Sequence, residues 1–290
     1  MSDQLVHIEG APRPPMDPRE IARIAVNLAA VCAVGALVLG GVFMATDRYQ
    51  TAARLAGERA AVSSMLALPA DARVLEVRQF LDPARREVVY RARPYGYAAA
   101  PVRQMVFTLE GRLVASDPTE PAAEPVGLTS LGRLFVATMN GEPGGFVIEG
   151  ETRGYKNRIR FFVALDTAFT VQGVRVIEHE EDPGLGAETA TTAFQGQFVG
   201  RGADRIAAID VTRDPMPEDW RTALGGLATT PSRTWIGQHA DLIAREAPKP
   251  IYAVTGATIS SRAVTRGVRT TVDHFRRRWA LLAPQLGGHS

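Results

Sequence analysis

From Ile24 to Ala45 the chain runs for 22 residues without a charge, and Asn27 is the one strongly polar side chain in the run. A helix of that length spans ~33 Å at ~1.5 Å per residue, about the hydrocarbon thickness of a bilayer. A helix apolar on every side has no solvated face to offer in a soluble domain. A signal peptide has a shorter apolar core followed by small residues at a cleavage site, whereas this run ends in Asp47-Arg48-Tyr49. The reading is one transmembrane helix over 21–46. It follows a tail, 1–20, whose Pro12, Pro14, Pro15 and Pro18 predict disorder. Arg13, Arg19 and Arg23 precede the span and Arg48, Arg54 and Arg59 follow it, so the charge bias that orients such helices is nearly balanced. The single cysteine, Cys32, lies inside the span. One thiol makes no internal disulfide, iron–sulfur cluster or thiolate zinc site, and here it reads as a small hydrophobe.

Beyond the span, residues 47–68 are rich in Ala, Leu, Arg and Glu and predict a linker helix ended by Pro69. The remainder, 69–290, reads as one domain. Strand-like runs cover Val74–Phe80, Val88–Arg91, Met105–Leu109 and Leu113–Ala115, with a turn at Glu110-Gly111. Asp117–Val126 carries Pro118, Pro121 and Pro125 and predicts a surface loop. A second set of strands covers Gly145–Glu149, Ile159–Leu165 and Val171–Ile177. Short helices are expected at Phe194–Gln197 and Ile236–Arg245. In the last helix Val264, Val268, Val272, Phe275, Trp279 and Leu282 recur at helical spacing, and Pro284 with Gly287-Gly288 is expected to end it. Strands in the middle with helices before and after them predict an α+β fold with a largely antiparallel sheet flanked by helices. A net charge of +2, with no zinc-finger spacing and no Lys/Arg block, gives no footprint of nucleic-acid binding.

Two short stretches carry candidate chemistry. In Ile251–Val264, IYAVTGATISSRAV, an apolar run meets Thr255-Gly256-Ala257-Thr258 where a strand turns into the last helix. Gly256 frees the backbone for a tight turn. A helix N-terminus offers unpaired N–H groups and a positive dipole end that attract phosphate, and Arg262 lies one turn further on. On spacing alone the ordinary reading is a cap, with Thr258 or Ser260 serving the backbone. The second stretch, His179–Glu188, is HEEDPGLGAE. Its clustered His and carboxylates invite a metal reading, but they lack the spacing that preorganises zinc, so residues alone favour a solvated acidic turn.

Taken together, the single span, HEEDPGLG and TGATISSRAV resemble the FMN-binding G subunit of Rnf-type ion-translocating electron transport complexes. They are similar, more distantly, to the C subunit of the sodium-pumping NADH–quinone reductase. Those families carry H-x-E-T-P-G-L-G and S/T-G-A-T-x-T/S-S. The resemblance implies FMN joined covalently by a phosphoester to the last threonine of the second motif, here Thr258. By position it brings Thr255, Gly256, Ala257 and Arg262 to the cofactor, leaves capping to Ser260 and Ser261, and lays Glu181, Gly184 and Leu185 against the flavin. It implies an electron carrier in a ferredoxin/NAD oxidoreductase complex, anchored once in a bacterial inner membrane with its soluble domain in the periplasm. It implies as partners the complex's other membrane and Fe–S subunits, membrane lipid, and a flavin transferase that attaches the FMN.

Three departures from the family pattern stand out. Tyr252 occupies the position, three before Thr255, where an Asp is usual. Asp182 replaces the Thr of the first motif and is expected to set a negative charge beside the flavin. The stretch between the motifs is long for the Rnf-type relatives, which marks 204–249 as a possible insertion. Besides the sodium-pumping reductase assignment, two readings from other classes stay open: an envelope flavin-binding redox sensor, and a cofactor-free envelope protein in which TGAT is only a turn and a cap.

Overall fold

The computed structural model describes residues 18–66, 72–95, 100–119, 127–139 and 142–286. The chain divides into two compact units, Met1–Glu58 and Arg59–Ser290. The first unit's described part is one helix, α1 (Pro18–Leu66), whose last turns belong to the second unit. Its Pro18–Asp47 portion is long enough and apolar enough to cross a membrane, and Leu37, Leu39 and Phe43 on it are more than 70% exposed. Cys32 is exposed on the same stretch. The expected boundary at Pro69 lies outside the described residues.

The second unit is built on eight antiparallel strands: β1 (Arg73–Asp82), β2 (Glu87–Pro94), β3 (Val102–Thr108), β4 (Leu113–Thr119), β5 (Thr129–Met139), β6 (Glu142–Arg153), β7 (Arg158–Leu165) and β8 (Val171–Glu178). Their order in the sheet is β4-β3-β2-β1-β5-β6-β7-β8. Asp117–Thr119, expected as the start of a loop, instead close β4, and the rest of that expected loop to Val126 lies outside the described residues. As β4 is an edge strand, Pro118 there has an open side and its missing N–H breaks no inner ladder. The strand of this sheet absent from the sequence expectations is β5, which pairs with both β1 and β6 at its centre.

After β8 the chain turns helical. A 3-10 turn (Gly186–Ala190), α2 (Thr192–Gln195), a second 3-10 turn (Gly196–Phe198) and α3 (Ala203–Ala207) lead to β9 (Val211–Thr212). Then come α4 (Glu218–Gly226), α5 (Ser232–Gln238) and α6 (Ala240–Glu246). The helix expected over Ile236–Arg245 is thus two helices, parted at His239, whose φ of −119° and ψ of 24° are not helical. β10 (Ile251–Tyr252) pairs in parallel with β9, and α7 (Thr258–Leu286) closes the chain. Pro284 lies inside α7, not at its end. So near the C-terminus a proline's missing N–H frees only a carbonyl of the last turns.

Alternation along the strands sets the two faces. Val77, Leu134, Val136, Phe146, Ile148, Phe161 and Val163 share one core with Val264, Val268, Val272 and Phe275 of α7. Phe146 meets Phe275 and Trp279 with ring centroids 4.9 and 4.4 Å apart. On the opposite face Phe135, Val147, Phe162 and Ala164 pack beneath Ala61, Val62 and Met65 of α1. The rest of that face is a lattice of paired charges. Arg93 and Arg78 bind Glu76 (2.7 and 3.1 Å), Arg133 binds Glu149 (2.7 Å), and Arg160 bridges Glu149 and Glu178. A hollow of about 580 Å³ opens over it.

α7 approaches the sheet closely because glycine stands at the contact. A Cβ at Gly150 would come within 2.6 Å of the Phe161 ring and 2.5 Å of Thr271 Oγ1. Gly150→Val is expected to push the helix off β6 and destabilise the domain by about 2 kcal/mol, the usual cost of overpacking. A urea midpoint unchanged from wild type would show that the contact yields freely.

Candidate functional site

The turn before α7 is closed from within. Ala257 N–H donates to Val254 O (3.0 Å), and Gly256 sits at φ +76°. Ser261 Oγ accepts from Val254 N–H (3.0 Å) and donates to Ala257 O (2.9 Å). Of the two serines expected to cap, Ser261 therefore serves the turn. Ser260 does something else: its hydroxyl donates to Glu181 Oε2, across 79 positions of sequence.

Glu181 joins the two motifs. It is 5% exposed, and its Oε1 accepts the Lys156 N–H at 2.9 Å, from the turn between β6 and β7. The neighbouring carboxylates are held by the same turn. Asn157 Nδ2 donates to Glu180 Oε2 (2.7 Å) and Lys156 Nζ pairs with Asp182 Oδ1 (2.5 Å). The stretch read as a solvated acidic turn is therefore pinned, with its middle carboxylate buried, and the negative charge expected of Asp182 is matched by Lys156. The loop also reaches the helix mouth, because a Cβ on Gly256 would meet Leu185 Cδ2 at 2.9 Å. Glycine at 256 answers both demands, the positive φ and the missing side chain.

Burial alone would raise the Glu181 carboxyl, but hydrogen bonds from Ser260 and from the N–H groups of Lys156, Tyr155 and Asn157 outweigh it and hold the carboxyl below the ordinary range. A carboxyl depressed in the folded state adds stability above its unfolded pKa and loses it as pH falls through its folded one. The clasp is expected to loosen below its ordinary value of 4.5. Ser260→Ala should cost about 1–3 kcal/mol near neutrality, since it strips a donor from a buried charge. It should also flatten the fall in stability toward acid. Thermal unfolding followed from pH 6 to pH 3 checks both, and parallel curves for the two proteins would contradict the assignment.

With Glu181 engaged inside the protein, the groups left at the helix mouth are few. Thr258 is half-buried, and its Oγ1 has no hydrogen-bond partner among the described residues. Thr255 and Gly256 are exposed, Ala257 is buried, and Gly184 and Leu185 are exposed beside them, Leu185 at 46%. Arg262 is exposed one turn along α7 and likewise has no partner among the described residues. The first N–H bonded within the helix is that of Ser261, to Ala257 O (3.0 Å). The N–H groups of Thr258, Ile259 and Ser260 thus head a 29-residue helix without an intrahelical acceptor. A hydroxyl, three N–H donors, a positive dipole end and one guanidinium suit a phosphate joined to Thr258.

The strand leading into the turn is anchored by residues that belong to neither motif. Tyr252 N–H donates to Gln197 Oε1 (2.8 Å), its carbonyl accepts from Gln197 Nε2 (3.1 Å), and its hydroxyl donates to Glu246 Oε2 (3.0 Å). Glu246 is fully buried and also accepts from Lys249 Nζ (2.8 Å) and Arg245 Nε (2.9 Å). Arg201, 2% exposed, donates to the carbonyls of Gln197 (2.8 Å), Ala247 (2.8 Å) and Lys249 (2.7 Å). Burial pushes its guanidinium down to about 10, against the pull of Glu246 and Tyr252. Residues 204–249, expected as a possible insertion, pack Trp220, Leu224, Trp235 and Ile243 with Val199 and Tyr252 into a separate small core. They also deliver Glu246 to the strand.

Residues 154–273, from the β6–β7 turn to well inside α7, match the model of the FMN-binding domain family. The class the fold defines is therefore an α+β domain behind a long apolar helix, and within that domain residues 154–273 are similar to FMN-binding domains. More particularly, the sequence is similar to G subunits of ion-translocating oxidoreductase complexes. It is 29% identical over 139 residues to the G subunit of the proton-translocating ferredoxin:NAD(+) oxidoreductase complex of Clostridium ljungdahlii, covering 48% of this chain and 57% of that one. It is 24% identical to the Na(+)-translocating counterpart of Acetobacterium woodii, covering 56% and 66%. It is 32% identical to the G subunit of the ion-translocating oxidoreductase complex of Pectobacterium atrosepticum, covering 58% and 64%. The chain thus matches less than two thirds of the length of each. Among solved structures, the C subunit of the Na(+)-translocating NADH-quinone reductase of Parabacteroides distasonis is 16% identical with a TM-score of 0.34, covering 62% of this chain and 75% of that one. Shewanella oneidensis NqrC is 18% identical with a TM-score of 0.40, covering 60% and 80%.

Proposed function

We propose that this chain is a membrane-anchored flavoprotein subunit of an Rnf-type ion-translocating ferredoxin/NAD oxidoreductase, carrying electrons through FMN esterified to Thr258. The observation that carries the reading is the state of the hydroxyls at the head of α7. Ser260 is committed to Glu181 and Ser261 to the turn, while Thr258 Oγ1 has no partner among the described residues and Arg262 follows one turn along α7. Bound flavin supplies one- and two-electron chemistry; the protein supplies position and field. The N–H groups of Thr258, Ile259 and Ser260 would donate to the phosphodiester, and the Arg262 guanidinium would offset its charge. Leu185 and Gly184 would offer their exposed edge to the ring, and Glu181 with Ser260 fixes that edge against the helix mouth. Thr255, Gly256 and Ala257 shape the turn that presents the hydroxyl.

The remaining assignments follow the same reading. α1 anchors the chain in a bacterial inner membrane, the second unit faces the periplasm, and a covalent bond keeps FMN where free cofactor is not replenished. A flavin transferase installs the cofactor, and multi-span and Fe–S subunits exchange electrons with it. Intact-mass measurement with peptide mapping of residues 250–262, on protein made in a host with flavin-attaching machinery, tests the reading. Protein heavier by one FMN unit on that peptide supports it; colourless, unmodified protein overturns it.

A further inference from the structure

The arginines along α7 divide into two sets. In the second half of the helix Arg276 pairs with Asp204 (2.7 Å), Arg277 with Asp273 (2.9 Å), and Arg278 donates to Gln79 Oε1 (2.7 Å). In the first half none makes an ion pair among the described residues. Arg262 and Arg266 are exposed with no partner among the described residues, and Arg269 reaches only the carbonyl of Ile209 at 3.5 Å. These three line a groove of about 260 Å³ whose far wall is Ile209, Asp210 and Val211. Asp210 is the one carboxylate in that lining. Its Oδ1 accepts the Val211 N–H (2.8 Å), and it makes no ion pair among the described residues.

Three like charges at steps of four and three along one helix face repel one another, a cost left standing unless something outside the domain offsets it. The sheet's charged lattice shows the ordinary solution within this same protein: there Arg78, Arg93, Arg133 and Arg160 all face Glu76, Glu149 or Glu178. The groove offers one carboxylate, Asp210, to three arginines, and its lining begins at Arg262, one turn along α7 from Thr258. Thr258, Arg262, Thr265, Arg266 and Arg269 fall on one stripe of α7. At ~1.5 Å per residue Arg266 lies about 12 Å and Arg269 about 16 Å beyond Thr258. A single phosphate ester at Thr258 would reach Arg262 and leave the other two unmatched.

We infer that the Arg262–Arg266–Arg269 groove is a docking site for an acidic segment of a partner protein, whose carboxylates replace the missing counter-charges. Three cations spaced over about 10 Å of helix along one wall of a groove suit a row of Asp or Glu side chains, whereas a flat lipid surface meets only the two exposed arginines. As a dock for an electron partner beside the flavin, the site rests on the function proposed above. Complementary charge there speeds encounter and sets orientation more than it adds affinity.

The test uses the full chain in detergent and a fluorescent octaglutamate peptide as probe, read by anisotropy at low and high salt. Binding at low salt is expected, weakened about tenfold or more by Arg266→Gln with Arg269→Gln and lost at high salt. The control pair Arg276→Gln with Arg277→Gln should bind as wild type. Equal loss in the control pair, or no loss in the groove pair, overturns the proposal. So does displacement of the peptide by equimolar pyrophosphate, which would make the groove a small-anion site, or groove-dependent binding to phosphatidylglycerol vesicles without peptide binding, which would make it a lipid site. Flavin content measured on every variant, with the peptide assay repeated on Thr258→Ala, keeps failure of the groove distinct from failure of the flavin assignment.

Discussion

Thr258→Ala is expected to give a folded protein with no covalent flavin: the mass falls by one FMN unit and the yellow colour is gone. The stability of the variant decides how that loss is interpreted. Thr258 Oγ1 bonds to nothing among the described residues, so removing it should change unfolding free energy by no more than about 0.5 kcal/mol. Loss of flavin with an unchanged melting curve of the unmodified form then means loss of the attachment atom. Thr255→Ala, on the exposed side of the same turn, should keep the cofactor. Retention of the added mass in Thr258→Ala, or its migration to another peptide, would remove the basis of the proposed function.

Glu246→Leu is expected to cost about 3 kcal/mol or more, the usual penalty for stripping one partner from a buried charge set. Arg201 would remain, 2% exposed, facing only carbonyl oxygens. For a unit of this size such a loss lowers Tm by on the order of 10 °C. Tyr252→Phe removes one hydrogen bond and leaves the carboxylate held by Lys249 and Arg245, so its cost should be about 1–3 kcal/mol. Measured by urea unfolding, the two variants should differ clearly. A Glu246→Leu protein as stable as wild type would mean that Arg201 is solvated through the opening left by the carboxylate.

What is legible in the sequence follows from the range of each signal. The span and α7 are readable because their patterns repeat over many turns. Most strands are readable because alternation and turn residues mark them locally. β5 escapes, although it is central, because TSLGRLFVATM mixes small and polar residues into its first half and its buried positions are claimed by both faces. Pro284 reads as a stop on its local meaning, whereas the packing of Leu282 and the contact of Arg103 with Gln285 O (2.7 Å) hold the last turn. At the site, both motifs and Gly256 are visible. The inward turn of Glu181 is not, because its partners lie on the β6–β7 turn and on α7, far apart in the chain. Lys156, Gln197, Arg201 and Glu246 sit in no motif; only the fold gives them neighbours.

The clasp between Glu181 and Ser260 has a consequence for timing. One half arrives with the loop after β8 and the other 79 positions later with α7, so the helix mouth and its covering loop meet only after α7 has been made and has docked. Any catalyst that modifies Thr258 in this setting must therefore act once α7 has docked against the loop, and truncation before α7 removes the acceptor and its surroundings together.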